Sequence, residues 1–394
     1  MGEAKKRHIL FVAPDPGAGG STKALLPVLK HLHDNGYTLL VMMPSEGYFS
    51  TTLDSMGIKY EINPYINLCL WPEVNNLVDV LKFIPRLIKW RLILQKGYKI
   101  ILKAVANFAP DLIYSNSSII LAGYLAAKKC NIKHIWHVHE YGDKDFGRKN
   151  FPSNRIKRKR LASTASISIT KEIHDFYKLN GKGVIIYNGI KSSNYIPEKD
   201  NTLVVLEKFV LYAGHITENK GVTDLIDAFI QYRNNNGSLN LILCGRIESP
   251  YKETLLNIIA IENAENSITF AGQVNNIDSY MSNAEAIIVP SKYEAFGLVT
   301  TEAMFNNCLI IGRDTGGTKE QFDLGLNQTS REIGLRFKTT EELTKCLHEV
   351  EHMNKRKRER YTLHAHNTAV YNFTLENYTD KVQKYIESTL NIIT

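Results

Sequence analysis

The 394 residues are 44% hydrophobic and 22% charged, a globular balance that excludes disorder of the whole chain and leaves room for two or three domains at roughly 100 to 200 residues each. No window approaches the roughly 18 uninterrupted apolar residues of a membrane span, and MGEAKKR runs into a strand-like segment without the apolar stretch of a signal peptide, so a cytoplasmic location is expected. Lys and Arg exceed Asp and Glu by eight and the isoelectric point is near 9.0, which brings nucleic acid, anionic lipid and phosphorylated substrates into view as partners.

Residues 8–13 (HILFVA) read as a strand, 15–20 (DPGAGG) as a loop, 22–33 as a helix and 37–43 as a second strand, together a βαβ unit. Glycines at 17, 19 and 20 let backbone approach a phosphate or hydroxyl at the start of the helix. The spacing is not G-x-G-x-x-G and Glu46 lies beyond Pro44, so a dinucleotide is not expected, and a plain glycine-rich turn stays open. Between Lys82 and Lys103 stand seven basic residues and no acid, interleaved with Ile84, Leu87, Trp90, Leu92 and Leu94. This pattern fits either a solvated helix or an interfacial one that docks on anionic lipid with Leu87, Trp90 and Leu94 inserted.

Strands are expected at 112–115, 134–138, 167–170 and 184–187, separated by helix-length segments, hence a mainly parallel sheet. His137 and His139 share a strand face. Zinc would need further ligands, and none stands at a recognisable spacing, so no metal is expected; a core histidine and an active-site role for His139 at the strand end are the remaining readings. Basic runs at 155–160 and 355–360 read as solvated helix faces. The five cysteines, without a C-x-x-C pair, are expected to be reduced and mostly buried.

The polar stretch 191–201 with Pro197 is the expected linker, after which the α/β pattern restarts: strands at 209–213, 239–244, 268–271, 286–290 and 309–311 alternate with helices. The expected domains are 1–190, 202–370, and a C-terminal helix at 371–394 that packs back on the first. Ligands of open α/β sheets bind in the loops after the strands. There Glu294 follows a strand, Gly297 permits the turn into a helix, and Glu302 lies one to two turns along it. Carboxylates accept vicinal sugar hydroxyls and a helix N-terminus suits a diphosphate, so the constellation fits a nucleotide sugar, although acids are also common in first turns.

These residues resemble the glycosyl transferases group 1 domain, and the chain resembles the family 4 retaining glycosyltransferases of the GT-B fold. The resemblance rests on the E-x7-E at Glu294 and Glu302, a GH(x)4KG at 214–221 where the family has GR(x)4KG, the YNGI at 187–190, Gly19 and Gly20, PDLIYSNS at 110–117, and 137–140. It implies two Rossmann-like α/β domains facing across a cleft that closes over the donor. It also implies that Glu294 contacts the transferred sugar and Glu302 the ribose, while Ala295, Phe296, Gly297, Leu298 and Val299 meet sugar and phosphate through their backbone. Lys220 would neutralise the diphosphate, and His139 would lie against the reacting face of the sugar. Gly19 and Gly20 would approach phosphates or acceptor, and Gly245 and Val274 ribose and base. His215 replaces the family's arginine, with Arg246 on the next loop placed to compensate.

The expected activity is transfer, with retention, from a UDP- or GDP-linked sugar to a glycan or lipid-linked acceptor, as in bacterial-type surface polysaccharide synthesis, with no cofactor, no metal and no nucleic acid. Peripheral contact with the inner face of an anionic membrane is expected through 82–103. A nucleotide-sugar epimerase of the same fold and a non-catalytic basic membrane- or nucleic-acid-binding protein are the alternatives. The loops at 46–52 and 68–76, where an acceptor surface is expected, carry no readable motif.

Overall fold

The computed structural model describes residues 7–66, 68–71, 76–143, 148–179, 181, 183–197 and 207–391. The chain divides into two compact units, one of residues 1–188 and 376–394, the other of 189–375.

The first unit holds a seven-stranded parallel sheet of β1 (His8–Val12), β2 (Thr38–Met43), β3 (Lys59–Ile62), β4 (Leu112–Ser115), β5 (Lys133–Val138), β6 (Ala165–Ser168) and β7 (Gly183–Ile185). Their spatial order is β3-β2-β1-β4-β5-β6-β7. Its central strands are near-continuous apolar runs because helices cover both faces; Ile9 to Val12 and Leu112 to Tyr114 are fully buried. The second unit repeats the plan with β8 (Phe209–Ala213), β9 (Asn240–Cys244), β10 (Ile268–Gly272), β11 (Ala286–Val289), β12 (Ile310–Arg313) and β13 (Leu335–Phe337), in the order β10-β9-β8-β11-β12-β13. In both sheets the order reverses beside the first strand, between β1 and β4 and between β8 and β11. That reversal opens a crevice at the carboxyl ends of the strands.

The short strands β3 and β13 are absent from the sequence reading. Lys59–Ile62 is largely exposed at a sheet edge and has no apolar run to mark it. The C-terminal helix Leu375–Asn391 belongs to the first unit, where Tyr378, Val382 and Ile386 are buried in its core and the Tyr378 hydroxyl donates to the Ala24 carbonyl at 3.1 Å. Each such side chain contributes about 1.5–3 kcal/mol.

The described part of the expected linker, residues 191–197, is grouped with the second unit. Residues 189–197 are bonded into the second unit: Ile190 N–H donates to Phe373 O at 2.9 Å, Leu375 N–H to Lys191 O at 2.9 Å, and the Lys191 ammonium pairs with Asp278 at 2.6 Å. Polar composition there reflects side chains that bond locally; residues 198–201 of that stretch lie outside the described residues.

Candidate active site

The crevice of the second unit is formed by the loops after β8 and β11. After β8, Gly214 (φ 142°) leads to a 3-10 turn, Glu218–Lys220, closed by Gly221 at φ 70°. A Cβ on Gly221 would stand 2.1 Å from the Pro290 carbonyl, so only glycine lets this turn lie against the end of β11. That approach brings Lys220 to the other loop, where its ammonium donates to a Glu294 carboxylate oxygen at 2.8 Å. The lysine side chain is 37% and the glutamate 18% exposed, so the pair stays within reach of solvent.

Residues 294–297 are held from behind by the helix Gly316–Thr329. Gly317 N–H donates to Glu294 O at 2.7 Å, and the buried Gln321 amide donates to Phe296 O at 2.7 Å and Gly297 O at 3.2 Å. A Cβ on Gly316 would lie 2.4 Å from Glu294 O, and one on Gly317 2.2 Å from Phe296 O. Gly297, at φ 92°, then turns the chain into the helix Leu298–Phe305. The first-turn N–H groups of this helix, at Leu298 and Val299, have no intrahelical acceptor and carry its positive dipole end. Ala295 is half-buried and Phe296 buried, the latter edge-on to Phe373 at 5.7 Å; Glu302 lies half-buried on the same helix.

The loops after β8 and β9 are stitched together. Gly214 N–H donates to Cys244 O, Ile216 N–H to Arg246 O, and a Cβ on Gly245 (φ 151°) would collide with the Gly214 carbonyl at 1.7 Å. His215 and Arg246 therefore stand on neighbouring segments, both exposed, and Val274 follows β10 half-buried. Tyr212 lies beneath: its hydroxyl donates to His215 O at 2.9 Å, and burial, reinforced by the Glu294 charge, raises its pKa well above the usual tyrosine range.

In the first unit the equivalent loops carry polar groups that are mostly satisfied internally. Asp15 accepts Gly17 N–H at 2.8 Å, and a Cβ on Gly19 would stand 2.1 Å from its other carboxylate oxygen. Gly17 and Gly19 thus accommodate an acid in the loop, and a negative charge there opposes phosphate. Gly20 opens the helix Gly20–Asp34. His139, just beyond β5, bonds through Nε2 to Asn116 Oδ1 at 3.0 Å, and the Asn116 amide donates to Ser21 O at 3.0 Å, which ties the ends of β4 and β5 to that helix. Burial lowers the His139 pKa to about 4 despite the opposing charge of Glu140. The ring is neutral at ordinary pH, a hydrogen-bond partner rather than a base that titrates near 7. His137 contacts His139 with ring centroids 4.0 Å apart and bonds Tyr114 through Nδ1, while its buried Nε2 has no partner in the structure. Glu140 accepts from Ser117 Oγ, Ser118 N and Ser118 Oγ at 2.6–2.9 Å and so fixes the loop after β4.

Among the described residues, one group of three possible metal ligands lies close together, His348, Glu351 and His352 on the helix Thr340–His352, away from every nominated residue in sequence. In the basic runs, Arg155, Lys159, Lys355, Arg356 and Arg360 are exposed, and other members are bonded within the protein. Lys157 is buried, donates to Asn150 Oδ1 at 2.9 Å and sits over Tyr177, while Lys357 and Arg358 pair with Glu349 and Glu285. All five cysteines are free, and Cys130 alone is exposed. Sequence reasoning missed Gly316, Gly317 and Gln321, for which the adjacent glycines opening a helix were the available signal, and Asp15, whose role emerges only from the loop geometry.

Two doubly wound parallel sheets in one chain, with a cation and a carboxylate meeting at the reversal point of the second, put the candidate ligand site in the second unit. Residues 198–365 match the family described as Glycosyl transferases group 1. An uncharacterized glycosyltransferase of Methanocaldococcus jannaschii is 27% identical over 313 residues, 76% of this chain and 80% of that protein. A lipopolysaccharide core biosynthesis mannosyltransferase of Rhizobium meliloti is 25% identical over 161 residues, 38% of this chain and 46% of that protein. The Anabaena protein HepE, solved in complex with UDP, superposes with a TM-score of 0.76 at 20% identity over 97% of this chain and 100% of its own. Over residues 198–365 the chain is thus similar to the group 1 glycosyltransferases, and it has the GT-B fold.

Proposed function

We propose that the chain transfers a hexose from a UDP- or GDP-linked donor to a hydroxyl of a glycan or lipid-linked acceptor, with retention of anomeric configuration, in synthesis of a bacterial-type surface polysaccharide. The observation that carries this reading is the Lys220–Glu294 pair, 2.8 Å apart beside the helix N-terminus at Leu298. A partly exposed ion pair contributes about 0–1 kcal/mol, so Lys220 exchanges Glu294 for a diphosphate at little cost and frees the carboxylate for sugar hydroxyls. Glu302 takes the ribose, Gly245 and Val274 border the nucleoside, and His215 or Arg246 supplies the second cation. The UDP bound to HepE makes UDP-sugars the first donors to try.

In the reaction, the bond from the anomeric carbon to the phosphate oxygen breaks and a bond to the acceptor oxygen forms on the same face. The acceptor proton passes to the departing phosphate, and a nucleoside diphosphate leaves. Charge grows on that phosphate, so preorganised donors there, Lys220 and the N–H groups at 298–299, lower the barrier most. Lys220 occupies the role a divalent ion has in other phosphate chemistry, and metal independence is part of the proposal. In the first unit, Asp15, Gly19, Gly20 and the neutral His139 serve hydroxyl groups rather than phosphate. A lipid-linked acceptor would place the enzyme at the cytoplasmic face of a membrane.

Incubation of UDP- and GDP-sugars with a panel of alkyl glycosides, followed by NMR of the products, tests the reading. A new glycosidic bond with the donor's configuration supports it. An inverted product would overturn retention, and an epimerised nucleotide sugar without transfer would favour an epimerase.

A further inference from the structure

The helix Phe83–Phe108 has 26 residues, yet only Gly97, Ile101, Ala104 and Val105 are buried, all in its C-terminal half. Gly97 marks the docking point: a Cβ there would lie 2.3 Å from the Tyr65 carbonyl, and the Asn63 amide donates to Gly97 O at 3.0 Å. The first three turns thus bury no residue fully and leave one face to solvent, with Ile84, Ile88 and Leu92, each 53–59% exposed, at spacings of four along it. The preceding helix Leu77–Leu81 adds Leu77 and Leu81, 82% and 77% exposed. Large apolar side chains exposed in such continuity mark a surface that something covers.

The surroundings say what. Lys89 and Lys96 lie along one edge of the stripe and Arg91 along the other, all exposed, and Lys99 and Lys103 continue the face toward the C-terminus. From Lys82 to Phe108 there is no acid, and Asp79, the nearest before it, is paired with Arg86 at 3.3 Å. A second copy of the chain would bring this positive rim against itself. A flat anionic surface with an apolar interior satisfies both stripe and rim. No described helix is long and apolar enough to cross a membrane.

We propose that this face, with Leu81, Ile84, Ile88 and Leu92 inserted and Lys89, Arg91 and Lys96 at the head groups, docks the chain on an anionic bilayer leaflet. The inserting residues differ from the sequence expectation. Trp90 donates its indole N–H to Leu68 O at 3.2 Å and packs edge-on to Phe151 at 5.0 Å, and Leu87 and Leu94 are half-buried, so all three are engaged by the protein. Apolar insertion and attraction of basic side chains to anionic head groups act together in such helices, the second falling off within a Debye length.

Co-sedimentation of the intact chain with vesicles of phosphatidylcholine plus about one-third phosphatidylglycerol, against pure phosphatidylcholine, tests this without donor or acceptor, so its failure leaves glycosyl transfer standing. Binding to the anionic vesicles alone, weakening as salt rises toward about 0.5 M, is expected. The double substitution K89E/K96E should lower partitioning roughly 25-fold or more, at about fivefold per lost cationic contact, and I88D should lower it at least about tenfold. Retained thermal stabilisation of both variants by a nucleotide sugar shows that they are folded. Equal sedimentation with neutral vesicles, or no loss in folded variants, overturns the proposal. So does a dimer in light scattering without lipid that I88D dissolves, which would make the face a self-interface.

Discussion

The two units share one strand order and one crevice position, but they fill it differently. At the reversal point of the second sheet the loops present charge to solvent: Lys220 against Glu294, with His215 and Arg246 exposed nearby. At the reversal point of the first, Asp15 holds its own loop, His139 is neutral and bound to Asn116, and Glu140 is consumed by two serines. A doubly wound sheet offers a place for a ligand, and the loop side chains decide its chemistry. Solvent-exposed, exchangeable charge suits a diphosphate, whereas polar groups already bonded within the protein suit hydroxyls.

The comparison breaks most directly at the charged pair. Lys220→Ala and Glu294→Ala should each lower turnover by roughly a hundredfold or more, while the melting temperature hardly moves because the pair is partly exposed. Near wild-type transfer by either variant removes the assignment. Gly317→Ala comes next. Its Cβ must displace the Phe296 carbonyl, at a cost of about 1–3 kcal/mol in packing, and kcat/KM should fall at least about tenfold through loop displacement. Unchanged kinetics would show that the loop tolerates the shift.

A smaller effect is expected from Glu302→Ala. Ribose is held equally before and during transfer, so KM should rise with kcat nearly kept, and steady-state kinetics with a saturable donor separates the two.

The neutral side of the comparison has a pH signature. His139 titrates at about 4 in the folded chain and near 6.5 when unfolded. The unfolded chain thus binds more protons between these values, so the contribution of His139 to stability is full above about pH 6.5 and is lost as pH falls toward 4. His139→Gln, which keeps a neutral hydrogen-bonding group, should be less acid-sensitive by at most roughly 3 kcal/mol over that window. Denaturant midpoints at pH 7 and pH 4.5 measure it, and equal acid loss in both proteins would place the sensitivity elsewhere, at His134 or His137. The smallest effect concerns the second cation: Arg246→Ala and His215→Ala should weaken a nucleoside diphosphate severalfold in calorimetry, and whichever change has no effect identifies a spectator.

Much of this was legible in the sequence, for physical reasons that differ by residue. Buried parallel strands such as Ala286–Val289 declare themselves as apolar runs, Glu294 and Gly297 stood out because charge and glycine mark a strand-to-helix transition, and Lys220 was picked out only by resemblance to the GR(x)4KG segment. The edge strand Lys59–Ile62 carries no such signal. The support at Gly316, Gly317 and Gln321 depends on contacts about 20 residues apart in sequence, which spacing cannot reveal. Composition at 82–103 showed an amphipathic helix, but which side faces the protein was settled by Gly97 and Tyr65. Residues 72–75 of the expected acceptor loop lie outside the described residues.

The central claim is that the second crevice binds a nucleotide diphosphate sugar through Lys220, and thermal unfolding with UDP-, GDP- and dTDP-sugars measures it. A ligand at a hundred times its Kd stabilises the folded state by about 2.7 kcal/mol. The expected result is a clear rise in melting temperature with a UDP- or GDP-sugar that Lys220→Ala loses while remaining folded. No stabilisation by any of the sugars, or equal stabilisation of wild type and Lys220→Ala, would contradict it.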